Sequence, residues 1–186
     1  MATLPLPKIS AEEYLLRDRA AAYKSEYCLG HMYAIAGASL RHAIINRNVL
    51  LSLSRLEGFT AVSSDLRVYS PKNPFFAYPD TVIYCGEPEL RPDEVRDTSL
   101  NPRVVIEILS PSTREYDLGL KFELYKDIST LQEYLAVEQD QPSVRQFCRD
   151  SQGWRENEIL ADRVKLLSIQ AEICFTDLYR TIEFTE

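Results

Sequence analysis

The sequence has few of the residues that build histidine and cysteine metal sites. It contains only two histidines, and its cysteines include no CxxC pair. These residues are His31, His42, Cys28, Cys85, Cys148 and Cys174. Structural zinc sites need clusters of such ligands, and a chain of 186 residues can fold around a core without disulfides. We therefore expect four reduced, half-buried thiols and no structural zinc.

Long hydrophobic runs and an excess of positive charge are also missing. No run of about 18 apolar residues is present, so no membrane-spanning helix is expected. The opening MATLPLPKIS lacks the basic region and apolar core of a signal peptide, and we expect a cytoplasmic protein. With 21 basic and 28 acidic residues, the net charge is −7. Binding of nucleic acid would therefore depend on a local basic patch.

Composition and local patterns predict one α/β domain over residues 1–186. The chain is 45% hydrophobic and 26% charged, which is ordinary for a globular protein. Ser10 and Glu13 form a capping box for a short helix, and two Tyr-rich runs around Leu29-Gly30 predict a hairpin. A long helix with apolar residues at helical spacing should run from Ser39 to Gly58.

The rest of the chain predicts strands, one more helix and two loops. Strands are expected in TAVSSDLRVYS (which Ser63-Ser64 could interrupt), DTVIYCG and RVVIEIL. The Pro-rich stretches PKNPFFAYP and EPELRPDEVRDTSLNP are predicted loops. A helix should begin near Asp117, although Gly119 weakens it. The last third alternates like meandering antiparallel strands. Together these elements predict a mixed sheet with helices packed on it.

The strand RVVIEIL raises the question of why an aliphatic segment carries Glu107. A buried carboxylate must shift its pKa, find a cation or bind a metal. Asp80, after Pro79 at the entry of the preceding strand, could approach Glu107 if the two strands pair. Two carboxylates suit Mg²⁺ or Mn²⁺, and Lys121 on the next helix could reach the same place. A simpler alternative is an ion pair between Glu107 and a buried arginine such as Arg67.

These residues carry a family resemblance. The pattern YPD…VVIEILSPST…D…K resembles the nuclease core of the PD-(D/E)XK, or restriction-endonuclease-like, superfamily, and more closely the Uma-two family of endonucleases. SEYCLGHMYAIAGAS with the following H, SSDLRV and EYLAV also match in order and spacing. The resemblance covers nearly the whole chain. It implies a restriction-endonuclease-like mixed sheet flanked by helices, with additional antiparallel strands in the C-terminal third.

The resemblance also implies a Mg²⁺-dependent (or Mn²⁺-dependent) DNA endonuclease that works as a homodimer. Asp80 and Glu107 would hold the metal, helped by the backbone carbonyl of Ile108. A lysine would orient the attacking hydroxide and offset charge in the transition state. Glu26 matches an acidic position upstream of the core that could bind the metal through water or hold a second cation.

One departure from the superfamily pattern concerns this lysine. Its usual position, two residues after the acid, is Leu109, so Lys121 is the natural substitute. An inactive relative with a binding or scaffold role, or a nuclease for RNA, therefore stays open as an alternative. Other residues keep two interpretations, one functional and one structural: His42, Asp65, Ser110, Ser112 and Thr113. If DNA binds, basic residues should line a face near Glu107, such as Arg41, Arg47, Arg67, Arg114 and Lys126.

Overall fold

The computed structural model describes residues 7–160 and 162–184. The expectation about a signal peptide falls largely on residues 1–6, which lie outside the described part. The helical elements are α1 (Ala11–Ala20), α2 (Leu40–Leu53), α3 (Arg114–Tyr116), a π-helical turn (Asp117–Lys121), α4 (Phe122–Tyr125), a 3-10 turn (Leu167–Ile169) and α5 (Phe175–Leu178). None of the described helices is long and apolar enough to cross a membrane.

Thirteen strands form three sheets in the described residues. The strands are β1 (Ser25–Cys28), β2 (His31–Ala34), β3 (Phe59–Ser63), β4 (Arg67–Ser70), β5 (Phe75–Ala77), β6 (Thr81–Cys85), β7 (Thr98–Ser99), β8 (Val104–Leu109), β9 (Glu133–Glu138), β10 (Val144–Asp150), β11 (Gly153–Ile159), β12 (Arg163–Leu166) and β13 (Ala171–Cys174). Their order is β2-β1-β5-β4-β7 in one sheet, β11-β10-β9-β8-β6-β3 in the second, and β12-β13 in the third.

The six-stranded sheet is the centre of the fold, and both of its faces are buried. Val104, Ile106 and Ile108 of β8 belong to the cluster that contains α2, α5 and the β12–β13 hairpin. Val105 and Leu109 belong to the opposite cluster, which contains α4 and part of the five-stranded sheet. Because side chains alternate along a strand, Glu107 points to this second side. Glu107 therefore shares a face with Val105 and Leu109.

The predicted mixed α/β architecture is confirmed, and several local predictions are correct. The predicted N-terminal cap of α1 is present, because the Ser10 hydroxyl oxygen accepts a hydrogen bond from the Glu13 N–H at 3.1 Å. The β1–β2 hairpin turns at Leu29-Gly30, and both residues have positive φ angles, +52° and +99°, as two-residue hairpin turns require. The extended stretch around Ser63-Ser64 is interrupted, with β3 and β4 in different sheets.

Four local predictions are wrong or incomplete. Helix α2 ends at Leu53 rather than Gly58, which lies in the turn that follows with a φ of +77°. The predicted loop PKNPFFAYP contains β5, and the second predicted loop contains β7. The third helix begins at Arg114, earlier than Asp117. Strand β9, expected in an antiparallel meander, pairs parallel with β8 and is antiparallel only to β10.

All four cysteines are free thiols, as expected. Their exposure differs more than the sequence predicted. Cys28 is buried and Cys85 is exposed, and only Cys148 and Cys174 are half-buried. Burial, together with the nearby charge of Glu133, raises the pKa of Cys148 to about 11, so this thiol stays protonated near neutral pH.

Candidate active site

Asp80 and Glu107 face each other across two neighbouring strands. Strands β6 and β8 are antiparallel with Thr81 opposite Ile106, and continuing this register by one residue puts Asp80 opposite Glu107. Two hydrogen bonds link the pair to both backbones. The Asp80 N–H donates to Glu107 Oε2 at 3.4 Å, and the Ile108 N–H donates to Asp80 Oδ2 at 2.8 Å. The approach of the two carboxylates expected from the sequence is present.

Glu107 is almost completely removed from solvent, with 3% of its surface exposed. Its Oε1 atom accepts a hydrogen bond from the Tyr125 hydroxyl at 3.1 Å and lies 2.9 Å from Lys121 Nζ. Burial is the main reason that the pKa of Glu107 lies well above its ordinary range, and the charge of Lys121 opposes this shift. Neighbouring acids, first Asp117 and then Asp80, raise the pKa further.

Lys121 supplies the cation that the sequence motif lacks at Leu109. Helix α3, the π-helical turn and α4 fold back over the sheet, as predicted, and bring Nζ to 2.9 Å from Oε1 of both Glu107 and Glu26. The turn from Asp117 to Lys121 is kinked at Gly119, whose φ and ψ angles of −107° and −108° are not helical. The Asp117 carboxylate is 3.4 Å from Nζ.

The ammonium of Lys121 does not extend into open solvent, because only 5% of this residue is exposed. Burial by itself would lower the pKa of Lys121. The surrounding negative charges, led by Glu107 and Glu26, outweigh burial and raise the pKa well above its ordinary value. Lys121 is therefore a permanently charged group held among three carboxylates.

Glu26 comes to the site from the other sheet. It lies in the middle of β1, is buried, and accepts a hydrogen bond from the Tyr78 N–H at 3.3 Å. Because Tyr78 is two residues before Asp80, this bond ties the five-stranded sheet to the chain segment that carries the first candidate ligand. Sequence reasoning did not assign Asp117 to the site. Its spacing of four residues from Lys121, one helical turn, was the signal that could have placed it there.

His42 lies in the first turn of α2 and contacts Asp80 directly. Its Nε2 atom is 3.1 Å from Asp80 Oδ2, the oxygen that also accepts from the Ile108 N–H. Burial would lower the pKa of His42, but the hydrogen bond to Asp80 and the charges of Asp80 and Asp117 raise it above its ordinary value. The histidine therefore orients the Asp80 carboxylate, a contact that the sequence alone did not predict.

Arg67 is not the partner of Glu107, so this alternative interpretation is wrong. Its guanidinium donates to Asp18 Oδ2 at 2.6 Å and forms a second ion pair with Asp97, far from β8 in the five-stranded sheet. Since its side chain is 5% exposed, Arg67 cannot line a DNA-binding face either. Asp65 is exposed and pairs with Lys24, which gives it no contact with the site residues.

The remaining basic candidates have acidic or polar neighbours. Arg114 donates to Glu138 at 2.8 Å, and Arg41 lies 3.5 Å from Asp140. Lys126 pairs with Glu123, and Arg47 bonds the side chain of Asn48. The hydroxyls of the SPST turn bond one another: Ser110 contacts both Ser112 and Thr113 within 3.0 Å. Arg41 and Arg114 are the two nearest the ends of α2 and β8.

The donor set fits a divalent cation held by few protein ligands. Within residues 7–160 and 162–184, no three His, Cys, Asp or Glu side chains form a metal-binding cluster. Lys121 already contacts three of the acids. Asp80 and Glu107, however, each have one carboxylate oxygen that no basic side chain of the described residues contacts. These atoms are Asp80 Oδ1 and Glu107 Oε2. Mg²⁺ commonly binds through only one or two carboxylates and otherwise through water.

The charges of the site also suit a divalent cation. Four carboxylates (Glu26, Asp80, Glu107 and Asp117) surround two basic groups, Lys121 and His42. Counted formally, with His42 protonated and all four carboxylates ionised, the sum is 2 − 4 = −2, and the burial that raises the pKa of Glu107 opposes this fully ionised state unless a further cation is bound. A buried site with this excess of negative charge gains from a bound doubly charged cation.

The fold and this arrangement define the class of protein as restriction-endonuclease-like. The chain has the fold of the crystal structure of a putative nuclease belonging to DUF820 from Anabaena variabilis, with a TM-score of 0.69 over 90% of this chain and 96% of that chain, at 16% identity. The profile of the Uma2 family, described as "Putative restriction endonuclease", matches residues 11–176. The chain belongs to the Uma2 family.

Two curated relatives from Synechocystis sp. support this membership. Uncharacterized protein slr1290 is 33% identical over 187 aligned positions, which cover 97% of this chain and 96% of the relative. Uncharacterized protein sll1609 is 31% identical, and its alignment covers 85% of this chain and 91% of the relative. The family resemblance expected from the sequence motifs is confirmed.

Proposed function

We propose that the protein is a metal-dependent nuclease that hydrolyses phosphodiester bonds in DNA. The observation that carries the proposal is the facing pair Asp80 and Glu107 beside a buried lysine, in a cluster with two more negative charges than positive ones. The family and the fold described above agree with it. Asp80 and Glu107, with the carbonyl of Ile108, would hold Mg²⁺ or Mn²⁺.

Each protein group has a distinct task in this proposal. Asp80 and Glu107 would hold the Mg²⁺, which would supply Lewis-acid chemistry by lowering the pKa of a coordinated water and polarising a phosphate oxygen. Lys121 and Tyr125 fix Oε1 of Glu107, so that Oε2 is turned toward Asp80. His42 and the Ile108 N–H fix Oδ2 of Asp80 in the same way. The positive charge of Lys121 offsets negative charge that develops on the phosphate, and Glu26 holds Lys121 in place.

Metal binding is the first test. Titration calorimetry with Mn²⁺ should show binding to the wild type that Asp80→Ala abolishes. Glu158→Ala, which removes an exposed carboxylate of β11, is the control and should bind Mn²⁺ like the wild type. Equal binding by Asp80→Ala and the wild type would contradict the metal site.

Substrate assays are the second test. Labelled DNA duplexes, single-stranded DNA and RNA are incubated with Mg²⁺, Mn²⁺ or EDTA. The proposal is supported if DNA is cleaved only in the presence of the metal and if Glu107→Gln loses this cleavage. Cleavage of RNA but not of DNA would instead support the alternative of a nuclease for RNA. Binding that weakens steeply with salt would indicate that basic residues contact phosphates, because such contacts release counterions.

The alternative is a non-catalytic binding or scaffold protein that keeps the fold. It is favoured by the burial of Lys121 and by the net charge of −7. Metal binding without cleavage of any nucleic acid would support this alternative. For a duplex substrate we further propose a homodimer, because cutting both strands requires two active sites. We also propose a cytoplasmic location, because the four cysteines are free.

A further inference from the structure

The segment from Tyr33 to His42 borders the candidate active site at both of its ends. At its start, Tyr33 of β2 is the direct cross-strand partner of Glu26 in β1. At its end, His42 contacts Asp80 at 3.1 Å. Side chains of directly opposed residues in an antiparallel pair stand on the same face, with Cβ atoms about 4.5–5.5 Å apart. The Cβ atom of Tyr33 therefore lies beside that of Glu26, whose carboxylate contacts Lys121.

The opposite face of the hairpin is already used for packing. Tyr27 and Met32 point away from the site and join a cluster with Tyr14 and Leu15 of α1. Among the residues that the structure describes, none covers the site-facing side of Tyr33 in the edge strand β2, since this residue is exposed. Tyr33 is 54% exposed, and the ring of His31, two residues earlier on the same face, lies 6.5 Å from the Tyr33 ring.

Large apolar side chains continue this exposed surface along the segment. Ile35 is 40% and Leu40 is 78% exposed. The stretch from Tyr33 to Leu40, YAIAGASL, contains no charged residue. An uncharged strip with three exposed large side chains therefore runs along one border of a strongly acidic site.

The charge distribution indicates what this strip can bind. The protein is acidic overall, and each of the basic candidates near the site has an acidic or polar partner. Attraction between lysine or arginine and phosphate is thus limited, and contacts to bases must contribute more of the affinity. Every base has a flat π face that stacks on an aromatic side chain, and such stacking needs no charge.

We propose that Tyr33 binds the substrate by stacking on an unpaired base next to the phosphodiester bond that is cut. The inference rests on the proposed nuclease function and narrows its substrate to strands with at least one unstacked base at the cut, as in single strands, flaps and bulges. The ring face of Tyr33 carries the contact, so its hydroxyl is not required. Ile35 and Leu40 extend the apolar surface along the strand.

The test compares three variants on two matched substrates. The variants are Tyr33→Ala, Tyr33→Phe and, as a control, Leu167→Ala, which removes an exposed apolar side chain of the 3-10 turn remote from β2. The substrates are a fluorescent single-stranded DNA and the same strand with abasic positions throughout its central part. Affinity is measured by anisotropy with Ca²⁺, and cleavage with Mg²⁺ or Mn²⁺.

Loss of one base–aromatic stack weakens binding by about 10-fold to 100-fold. Tyr33→Ala should show this loss in affinity and a matching rise in KM on the intact strand, with little change on the abasic strand. Tyr33→Phe and Leu167→Ala should behave like the wild type. A fully paired blunt duplex should bind more weakly than the intact single strand.

The outcomes separate this inference from the proposed function. Suppose that the wild type cleaves DNA. If Tyr33→Ala then has unchanged KM and affinity, or loses the same affinity for the intact strand as for the abasic strand, the stacking proposal is overturned while the nuclease function stands. If the wild type binds DNA without cleaving it, and only Tyr33→Ala loses the extra affinity for the intact strand over the abasic strand, stacking stands and the nuclease function is overturned. A wild type that neither binds nor cleaves overturns both.

Discussion

At the scale of single residues, Lys121 is the group whose setting the sequence predicted least completely. The sequence predicted that Lys121 on the next helix could reach Glu107, but it did not predict that the ammonium would be enclosed. Nζ lies among Glu26, Glu107 and Asp117 with 5% of the residue exposed. A residue of this kind supports both the chemistry and the fold, and a substitution changes both.

The first prediction concerns Lys121→Met. Cleavage should fall by roughly 10² or more, the size typical of losing one transition-state donor, while Mn²⁺ affinity should stay the same or rise slightly because a positive charge is removed. The free energy of unfolding should also fall by about 3–5 kcal/mol, since the buried carboxylates lose their partner. Single-turnover cleavage, calorimetry and urea unfolding measure the three effects.

A double variant separates the two roles of Lys121. Lys121→Met with Glu26→Gln removes one of the unpaired carboxylates, so part of the lost stability should return while cleavage stays low. A Lys121→Met protein that cuts DNA at the wild-type rate would leave the mechanism without its cation.

The second prediction concerns His42, which fixes one oxygen of Asp80. Groups that orient a metal ligand typically contribute 10-fold to 100-fold to metal affinity or activity. His42→Ala should lower Mn²⁺ affinity and the cleavage rate within this range. Leu51→Ala, an exposed position on the same helix, should change neither. If calorimetry gives the same Mn²⁺ affinity for His42→Ala and the wild type, the histidine has only a structural role.

At the scale of secondary-structure elements, local pattern predicted most helices and strands but not how the strands pair. All residues of β9 are buried. Its residue pattern therefore gives no indication that β9 pairs parallel with β8. β5 was missed because prolines and an asparagine surround only three strand residues. Asp80 and Glu107 could be predicted because an acid in an aliphatic strand is visible in sequence. Asp117 and the contact of His42 depend on the helix packing.

Helix α1 is joined to the five-stranded sheet by a partly buried group of charges. Arg67 of β4 bonds Asp18 of α1 and pairs with Asp97, and Arg19 of α1 bonds Asp97 at 2.7 Å and Asp93 at 2.8 Å. Burial would raise the pKa of Asp97, but its bonds to Arg19 and Arg67 outweigh this effect and hold the pKa well below its ordinary value.

The third prediction concerns the pH dependence of this group. A carboxyl with a lowered pKa in the folded state stabilises the protein above its unfolded pKa, and this contribution is lost as the pH falls through the folded pKa. Asp97→Asn should therefore destabilise the protein at pH 7 by about 1.5–3 kcal/mol, the size of a hydrogen bond to a charged group. The difference from the wild type should shrink progressively below about pH 4.

Urea unfolding of both proteins at pH 7 and at pH 3 checks this prediction. Glu158→Gln removes an exposed charge of the same sign from β11 and should alter stability little at either pH. A difference between Asp97→Asn and the wild type that does not depend on pH would show that Asp97 acts through packing rather than through its charge.

At the scale of the whole molecule, the candidate site brings acidic side chains from separate elements together in the interior. Glu26, Glu107 and Asp117 are all buried beside Lys121. The pKa of Glu107 is raised in the folded state, so folding is favoured below its unfolded pKa and is penalised once the pH exceeds the folded pKa. Without a metal, the repulsion among the acids therefore opposes folding at neutral pH, whereas the charge of Lys121, whose pKa these acids raise, acts in the opposite direction.

The last prediction follows from this charge imbalance. Glu107→Gln removes one negative charge, and Lys121 keeps Glu26 and Asp117 as partners. In the presence of EDTA, the variant should be more stable than the wild type, and a gain of about 1 kcal/mol corresponds to a rise of about 2–4 °C in Tm. Mn²⁺ should raise the Tm of the wild type in a concentration-dependent way and leave that of Glu107→Gln unchanged.

Thermal unfolding with and without Mn²⁺ provides the comparison, and Glu138→Gln is the contrasting variant. Glu138 is also a buried carboxylate, but it is paired with Arg114 at 2.8 Å rather than surrounded by other acids. Its substitution should lower the Tm and leave the Mn²⁺ response intact. If Glu107→Gln is instead less stable than the wild type in EDTA, the ion pair with Lys121 outweighs the repulsion among the acids. The cluster would then be a structural feature of the fold that needs no metal to balance its charge.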